Sequence, residues 1–258
     1  MSALTPLAEL AGENAAMIAR SIRHTSRDVE TLIMSVILPV MLMLMFVYVF
    51  GGAIDTGAPY VNYVVPGIIL LAAGFGSATT AVSVCSDMVN GVVDRFRSMP
   101  ISGSAMLTGH VVASLARNLL STAVVIGVGY AVGWRPVAGP VQWAGALALV
   151  ALSILAVSWL SAALGLVAGS PEAANGFTFV ILFLPYLSSA FVPTATMPAV
   201  LRGFAENQPV TPVIETLRGL LMGTPPGTDA ILAVAWCLLL LTGSWAASAV
   251  LFRRRTAR

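Results

Sequence analysis

Lysine is missing from all 258 residues, so each of the 13 fixed positive charges is an arginine. A conventional nucleotide-binding P-loop, GxxxxGK[ST], needs the lysine amine at the phosphates, and this chain therefore holds none. Charge of either sign is scarce, at 9% of residues against roughly 25% in soluble domains. With 58% hydrophobic residues and a mean hydropathy of +0.91, the chain cannot be a water-soluble globular enzyme and belongs in a bilayer. Only two cysteines occur, Cys85 and Cys237, in different apolar runs and without CxxC or Cys/His spacing. They read as packing residues, not as a disulfide or metal pair. His24 and His110 have no Ser, Asp or Cys clustered with them in the sequence, which argues against a membrane hydrolase or metalloprotease. A net charge of +2 is too small to imply a nucleic-acid partner.

What is there is apolar and comes in blocks. A helix needs about 20 apolar residues to cross about 30 Å of hydrocarbon. Six stretches qualify or nearly do: Ile33–Phe50, Val64–Cys85, Asn118–Trp134, Trp143–Ala168, Phe177–Val192 and Ala230–Phe252. The first is preceded by a polar, amphipathic stretch and is longer than a signal-peptide core, so no cleavable signal is expected. Arginine placement sets the orientation. Arg20, Arg23 and Arg27, then Arg95 and Arg97, then Arg253, Arg254, Arg255 and Arg258 fall on one side; Arg135, Arg202 and Arg218 fall on the other. The positive-inside rule then puts both termini in the cytoplasm. All 11 acids lie outside these spans, which weighs against a proton-coupled antiporter, since such carriers keep a costly acid in the membrane.

Smaller signals refine the bundle. Ala73, Ser77 and Ala81 recur every four residues, as do Ser161, Gly165 and Gly169; such stripes let backbones approach, although an alanine-rich chain also produces them without purpose. Pro39 and Pro185 are expected to kink their helices, and Pro66 to sit in an early turn. Arg117 has two readings. If the third span begins near Asn118, Arg117 snorkels at the boundary; if it begins near Leu107, Arg117 lies at depth, at a cost of about 2.5–3.5 kcal/mol. The run from Asn118 to Trp134 is long enough alone, so the boundary position is expected. In "GSPEAANG", Ser170 should cap a helix, with Pro171 in its first turn and Glu172 complementing the dipole. No span shows a clear polar stripe of the kind a channel would want.

Two amphipathic stretches flank the spans on the arginine-rich side. In the first, Leu10, Met17, Ile18 and Ile22 line one helical stripe and Glu13, Arg20, Arg23 and Arg27 another, the pattern of a helix in the membrane interface. In the second, Met88, Val92, Phe96 and Met99 form an apolar stripe while Asn90, Asp94 and Arg97 line the other side. Pro100 ends that helix, because proline disfavours the α conformation of the residue before it. Such a helix can relay a push from a partner, or it can simply lie in the headgroups. On the opposite side, Val213, Ile214, Leu217, Leu220 and Leu221 form a stripe after Thr211-Pro212, a cap-then-proline start, with Glu215 and Arg218 placed to pair on the exposed face. That helix would dip into the outer leaflet, or the stretch is a plain loop.

The segment "SDMVNGVVDRFRSMPIS" resembles the cytoplasmic loop of type 2 permeases of ATP-binding-cassette exporters. Asp87, Gly91, Asp94 and Pro100 stand at its acid, glycine, acid and proline, whereas Val89 replaces a frequent further acid. The "RFRSMPI" wording is similar to the daunorubicin-resistance-like branch. "FVPTATMPAVLRGFAENQPVTPVIETLRGLLMG", residues 191–223, resembles the family's outer segment between spans five and six.

The resemblance implies an all-α membrane protein with six transmembrane helices. It has an N-terminal interfacial connecting helix (residues 1–31, with Arg20, Arg23 and Arg27) and a permease domain (32–258). Within the latter it implies a coupling helix at about 87–100 and an outer re-entrant segment at about 193–223, holding Pro193, Pro198, Asn207, Pro209, Glu215 and Arg218. Asp87, Asp94, Arg95 and Arg97 would make polar contacts with a separate cytoplasmic ATPase, and Phe96 and Met99 would pack into it or against the spans. Two ATPase copies, which bind ATP and magnesium, and a second permease, identical or a sister chain, would complete the machine in the plasma membrane among its lipids. This chain would bind no cofactor or metal of its own and catalyse nothing. The cargo expected is an amphiphilic drug or lipid-like product; a polysaccharide or cell-envelope precursor is the alternative within the superfamily, and a channel or scaffold uncoupled from ATP the alternative outside it.

Overall fold

The computed structural model describes residues 29–54, 56–90, 103–225 and 227–256. Among the described residues the chain is entirely helical, with no strand. Helix α1 (Val29–Leu44) widens into a π-helical stretch at Met45–Phe50; Pro39 lies within α1 without ending it. Helices α2 (Tyr60–Val89), α3 (Gly103–Val132) and α4 (Pro140–Val167) follow. Then come α5 (Pro171–Phe183), a 3-10 turn at Leu184–Leu187, α6 (Ala199–Asn207), α7 (Val210–Met222) and α8 (Asp229–Thr256).

Local chemistry explains several boundaries. Pro140 opens α4 at the first helical position, where its missing N–H costs nothing. Ser170 Oγ accepts from the Ala173 N–H at 3.2 Å, with Pro171 and Glu172 following, so α5 starts as its sequence indicates. Gly223, at φ +77°, closes α7 in the left-handed region that glycine enters without strain.

Among the described residues, four helices are long and apolar enough to cross a membrane: Tyr60–Val89, Met106–Val132, Pro140–Val167 and Asp229–Arg255. The first and fifth expected spans are shorter as helices. Ser35–Phe50 is apolar but below that length. The fifth ends far earlier than Val192, because Pro185 enters the 3-10 turn instead of kinking a continuous helix. Pro66 is also deeper than expected, in the second turn of α2, because the helix begins at Tyr60.

Helix α2 is the centre of the bundle and packs against α1, α3, α4, α5 and α7, while α8 lies outside on α4 and α7. Burial follows that order: 71% of the apolar window of α2 is covered, against 17% of that of α8. The small-residue stripe works at two helices. Ala73, Ser77 and Ala81 are buried, as is Ser161, and a Cβ on Gly165 would overlap the Ala81 carbonyl oxygen, so α2 and α4 touch backbone to backbone there. Gly169 takes no part; it lies beyond α4 with open space around it.

Candidate functional site

Three polar constellations interrupt this apolar bundle. The first is at its centre, where α2, α3 and α4 meet. Asn118 Nδ2 donates to Ser77 Oγ and to Ser114 Oγ, both at 3.1 Å. The Ser114 and Ser158 hydroxyls are 2.9 Å apart, Ser158 Oγ donates to Ser77 Oγ at 3.2 Å, and Ser77 Oγ donates to the Ala73 carbonyl at 2.8 Å. All four side chains are buried. Interhelical hydrogen bonds in membranes average only about 0.6 kcal/mol, so this seam fixes helix register more than it adds stability. Ser121 extends it to α1, donating to the Ser35 carbonyl at 2.7 Å.

Arg117 borders the seam, which corrects the boundary position expected for it. Helix α3 begins well before Asn118, so Arg117 falls inside the Met106–Val132 span. Its Nη2 donates to the Gly76 carbonyl at 2.8 Å and to Thr79 Oγ1 at 2.6 Å, midway along α2. Those bonds, not snorkelling, offset the cost of the charge.

The second constellation is at the end of the bundle where α2 finishes. Nε2 of His110 donates to Oδ2 of Asp87 at 2.9 Å. Nearby, Arg255 of α8 donates from Nη1 to the Leu166 carbonyl at 2.8 Å and from Nη2 to the Ala168 carbonyl at 2.9 Å. A cation there satisfies carbonyls that the end of α4 leaves without helical partners.

The third is at the opposite end and holds the segment between α5 and α8. Arg218 of α7 pairs with Glu215 at 2.6 Å, donates to the Tyr63 carbonyl at 3.3 and 3.2 Å and to the Ser189 carbonyl at 2.8 Å, and lies 3.7 Å over the Tyr63 ring. The pair forms as expected, but not on an exposed face: only 13% of the Arg218 side chain is exposed. Tyr63 and Tyr60 add hydroxyl bonds to the Ser189 and Phe191 carbonyls, at 2.9 and 2.8 Å. Gln208 Nε2 donates to the carbonyls of Leu184 and Leu187 at 3.1 and 2.9 Å, where the 3-10 turn breaks the helical ladder. The expected stripe of α7 is buried at Val213, Ile214, Leu217 and Leu221. Thr211 does not cap it, because the helix starts at Val210; its hydroxyl donates instead to the Ala205 carbonyl at 2.5 Å.

The remaining expected residues are placed as follows. Pro193, Pro198 and Pro209 precede the 3-10 turn Thr194–Thr196, α6 and α7 respectively, and Asn207 bonds back to the Gly203 carbonyl at the end of α6. The exposed Glu206 is held below its usual carboxylate range by the hydrogen bond from Arg202, and Glu172 by its own backbone N–H and the Ser170 hydroxyl. Arg20, Arg23, Arg27, Gly91, Asp94, Arg95, Phe96, Arg97, Met99 and Pro100 lie outside the described residues. Among the described residues, no cluster of His, Cys, Asp and Glu could hold a metal ion, and both cysteines are free and buried.

Sequence reasoning missed the seam, the Asp87–His110 bridge and the roles of Gln208 and Arg255. A signal existed for the seam: His110, Ser114, Asn118 and Ser121 recur at spacings of four, four and three along one face of α3.

A family profile described as ABC-2 type transporter matches residues 13–222, most of the chain. The chain belongs to the ABC-2 type transporter family. A daunorubicin resistance ABC transporter permease protein, DrrB1 of Streptomyces coeruleorubidus, is 32% identical over 191 residues, 73% of this chain and 68% of that one. A probable doxorubicin resistance ABC transporter permease protein, DrrC of Mycobacterium tuberculosis, is 25% identical over 219 residues, 84% and 79% of the two chains. This ABC-2 chain is thus a multi-pass membrane protein whose relatives are named as permeases of drug-resistance transporters.

Proposed function

We propose that this chain is the permease subunit of an exporter that moves an amphiphilic drug or lipid-like molecule out across the plasma membrane. The observation that carries the reading is the family match over residues 13–222, joined to relatives named for daunorubicin and doxorubicin resistance. The energy comes from ATP and magnesium on a separate cytoplasmic ATPase, two copies per complex, because a chain without lysine has no conventional P-loop. A second permease, identical or related, completes the path.

In this reading the chain crosses six times with both termini in the cytoplasm, α1 and α5 supplying the two shorter crossings. The ATPase seats against residues 87–100, where Asp94, Arg95 and Arg97 offer charge and Phe96 and Met99 an oily flank. The Arg20–Arg27 stretch lies beside it. The outer segment from Pro193 to Arg218, latched to α2, walls the exit.

An apolar cargo is supported by the cleft between α5 and α6, about 390 Å³ and lined by Phe179, Val180, Phe183, Leu184, Leu187 and Phe204. The test is reconstitution of the permease with its ATPase in vesicles, following daunorubicin and a fluorescent short-chain phospholipid. ATP-dependent movement of either supports the reading. Movement by the permease alone, without ATPase, overturns it, as does no movement of either probe.

A further inference from the structure

Asp87 is in the last turn of α2, where the carbonyl end of a helix disfavours a carboxylate. Its carboxylate is nevertheless engaged within the chain: Oδ2 accepts from His110 Nε2 at 2.9 Å, with 24% of the Asp87 and 19% of the His110 side chain exposed. The two residues bracket residues 91–102, Asp87 just upstream on α2 and His110 in the second turn of α3. His110 also shares the face of α3 that carries Ser114, Asn118 and Ser121, so the bridge continues the ladder of α3 side chains that ties this helix to α2, α4 and α1.

We propose that Asp87 and His110 form a positioning bridge that makes α2 and α3 move together when residues 91–102 are pushed. The inference rests on the permease reading and deepens it. Asp87, expected from the sequence to contact the ATPase, acts instead within its own chain. Without the bridge the two helices can separate at the end nearest the push, and displacement is lost before it reaches the buried seam. Hydrogen bonds to a carboxylate acceptor are shorter and stronger than neutral ones, and this one is partly shielded from solvent.

The experiment uses the permease–ATPase complex in vesicles with the two probes named above, and reads cargo moved per ATP hydrolysed. In H110A, copurified ATPase and ATP hydrolysis should persist while cargo per ATP falls by about tenfold, the scale on which one charge-assisted hydrogen bond acts. H110Q, which keeps a donor, and the exchanged pair Asp87→His with His110→Asp should recover most of the ratio. A merely structural role would lower assembled complex, hydrolysis and transport in proportion, with the ratio unchanged, and that result overturns the bridge. So does loss of copurified ATPase in H110A that the exchanged pair fails to restore, which would return Asp87 to the ATPase contact. If the unaltered complex moves neither probe, the permease reading itself fails, a distinct result.

Discussion

Gly165 of α4 faces the Ala81 carbonyl of α2 so closely that no side chain fits between them. Since the obstacle is backbone and not a flexible side chain, G165A should already destabilise, and G165V by about 1–3 kcal/mol as overpacking does. Thermal unfolding in detergent checks this. The matched control is G169A, where a Cβ meets open space and the melting temperature should stay put.

Arg218 and Arg202 each pair with a glutamate on the same helix, yet their worth should differ sharply. Arg202 and Glu206 are 50% and 43% exposed, so R202A should leave the melting temperature nearly unchanged. Arg218 is mostly buried and also serves the carbonyls of Tyr63 and Ser189. R218A leaves those acceptors and Glu215 without their cation, at about 3 kcal/mol. R218K should recover little, because an ammonium cannot reproduce the planar fork or the stack on Tyr63. Melting temperatures of the three variants decide the order.

Gly76 and Asn118 should be coupled. A Cβ on Gly76 would collide with the Asn118 side-chain amide, so G76A should perturb the bundle. The double variant G76A/N118A should lose less than the sum of the single changes, since removing the amide makes room. A double-mutant cycle on thermal stability should show a coupling of at least about 0.5 kcal/mol.

Gln208 stands in for the missing turn of helix around Pro185. Backbone carbonyls left without helical partners in a packed bundle need another donor, and here one side-chain amide covers two of them. Q208L should cost about 1–3 kcal/mol and raise hydrogen exchange or proteolysis at residues 184–192, whereas N207L, at an exposed helix end, should change neither.

Much of the bundle was legible because apolar periodicity reports burial directly. The blocks Val64–Cys85 and Ala230–Phe252 each lie within one long helix, Trp143–Ala168 overruns α4 by a single residue, and the Ser170 cap and the α7 stripe form as read. Depth was harder. Arg117 looked like a boundary residue because the run after it could cross unaided; only the helix start at Gly103 and the acceptors on α2 place it inside. His110 looked isolated for a related reason: its partner, Asp87, is distant in sequence and arrives through the α2–α3 turnaround. Pairwise meetings across helices leave no trace in a single periodic pattern. The end of the fifth apolar stretch is not legible because a proline can kink a helix or end it; here Pro185 enters a 3-10 turn whose Leu184 and Leu187 carbonyls Gln208 receives.

The Arg255 clamp sets a rule for anyone handling this molecule. Shortening the chain ahead of that residue would bare the final carbonyls of α4 beside the Cys85 thiol, which itself leans on Ala168 at 3.6 Å. An affinity tag placed beyond Arg255 leaves the fastening whole; a chain trimmed before that residue undoes it.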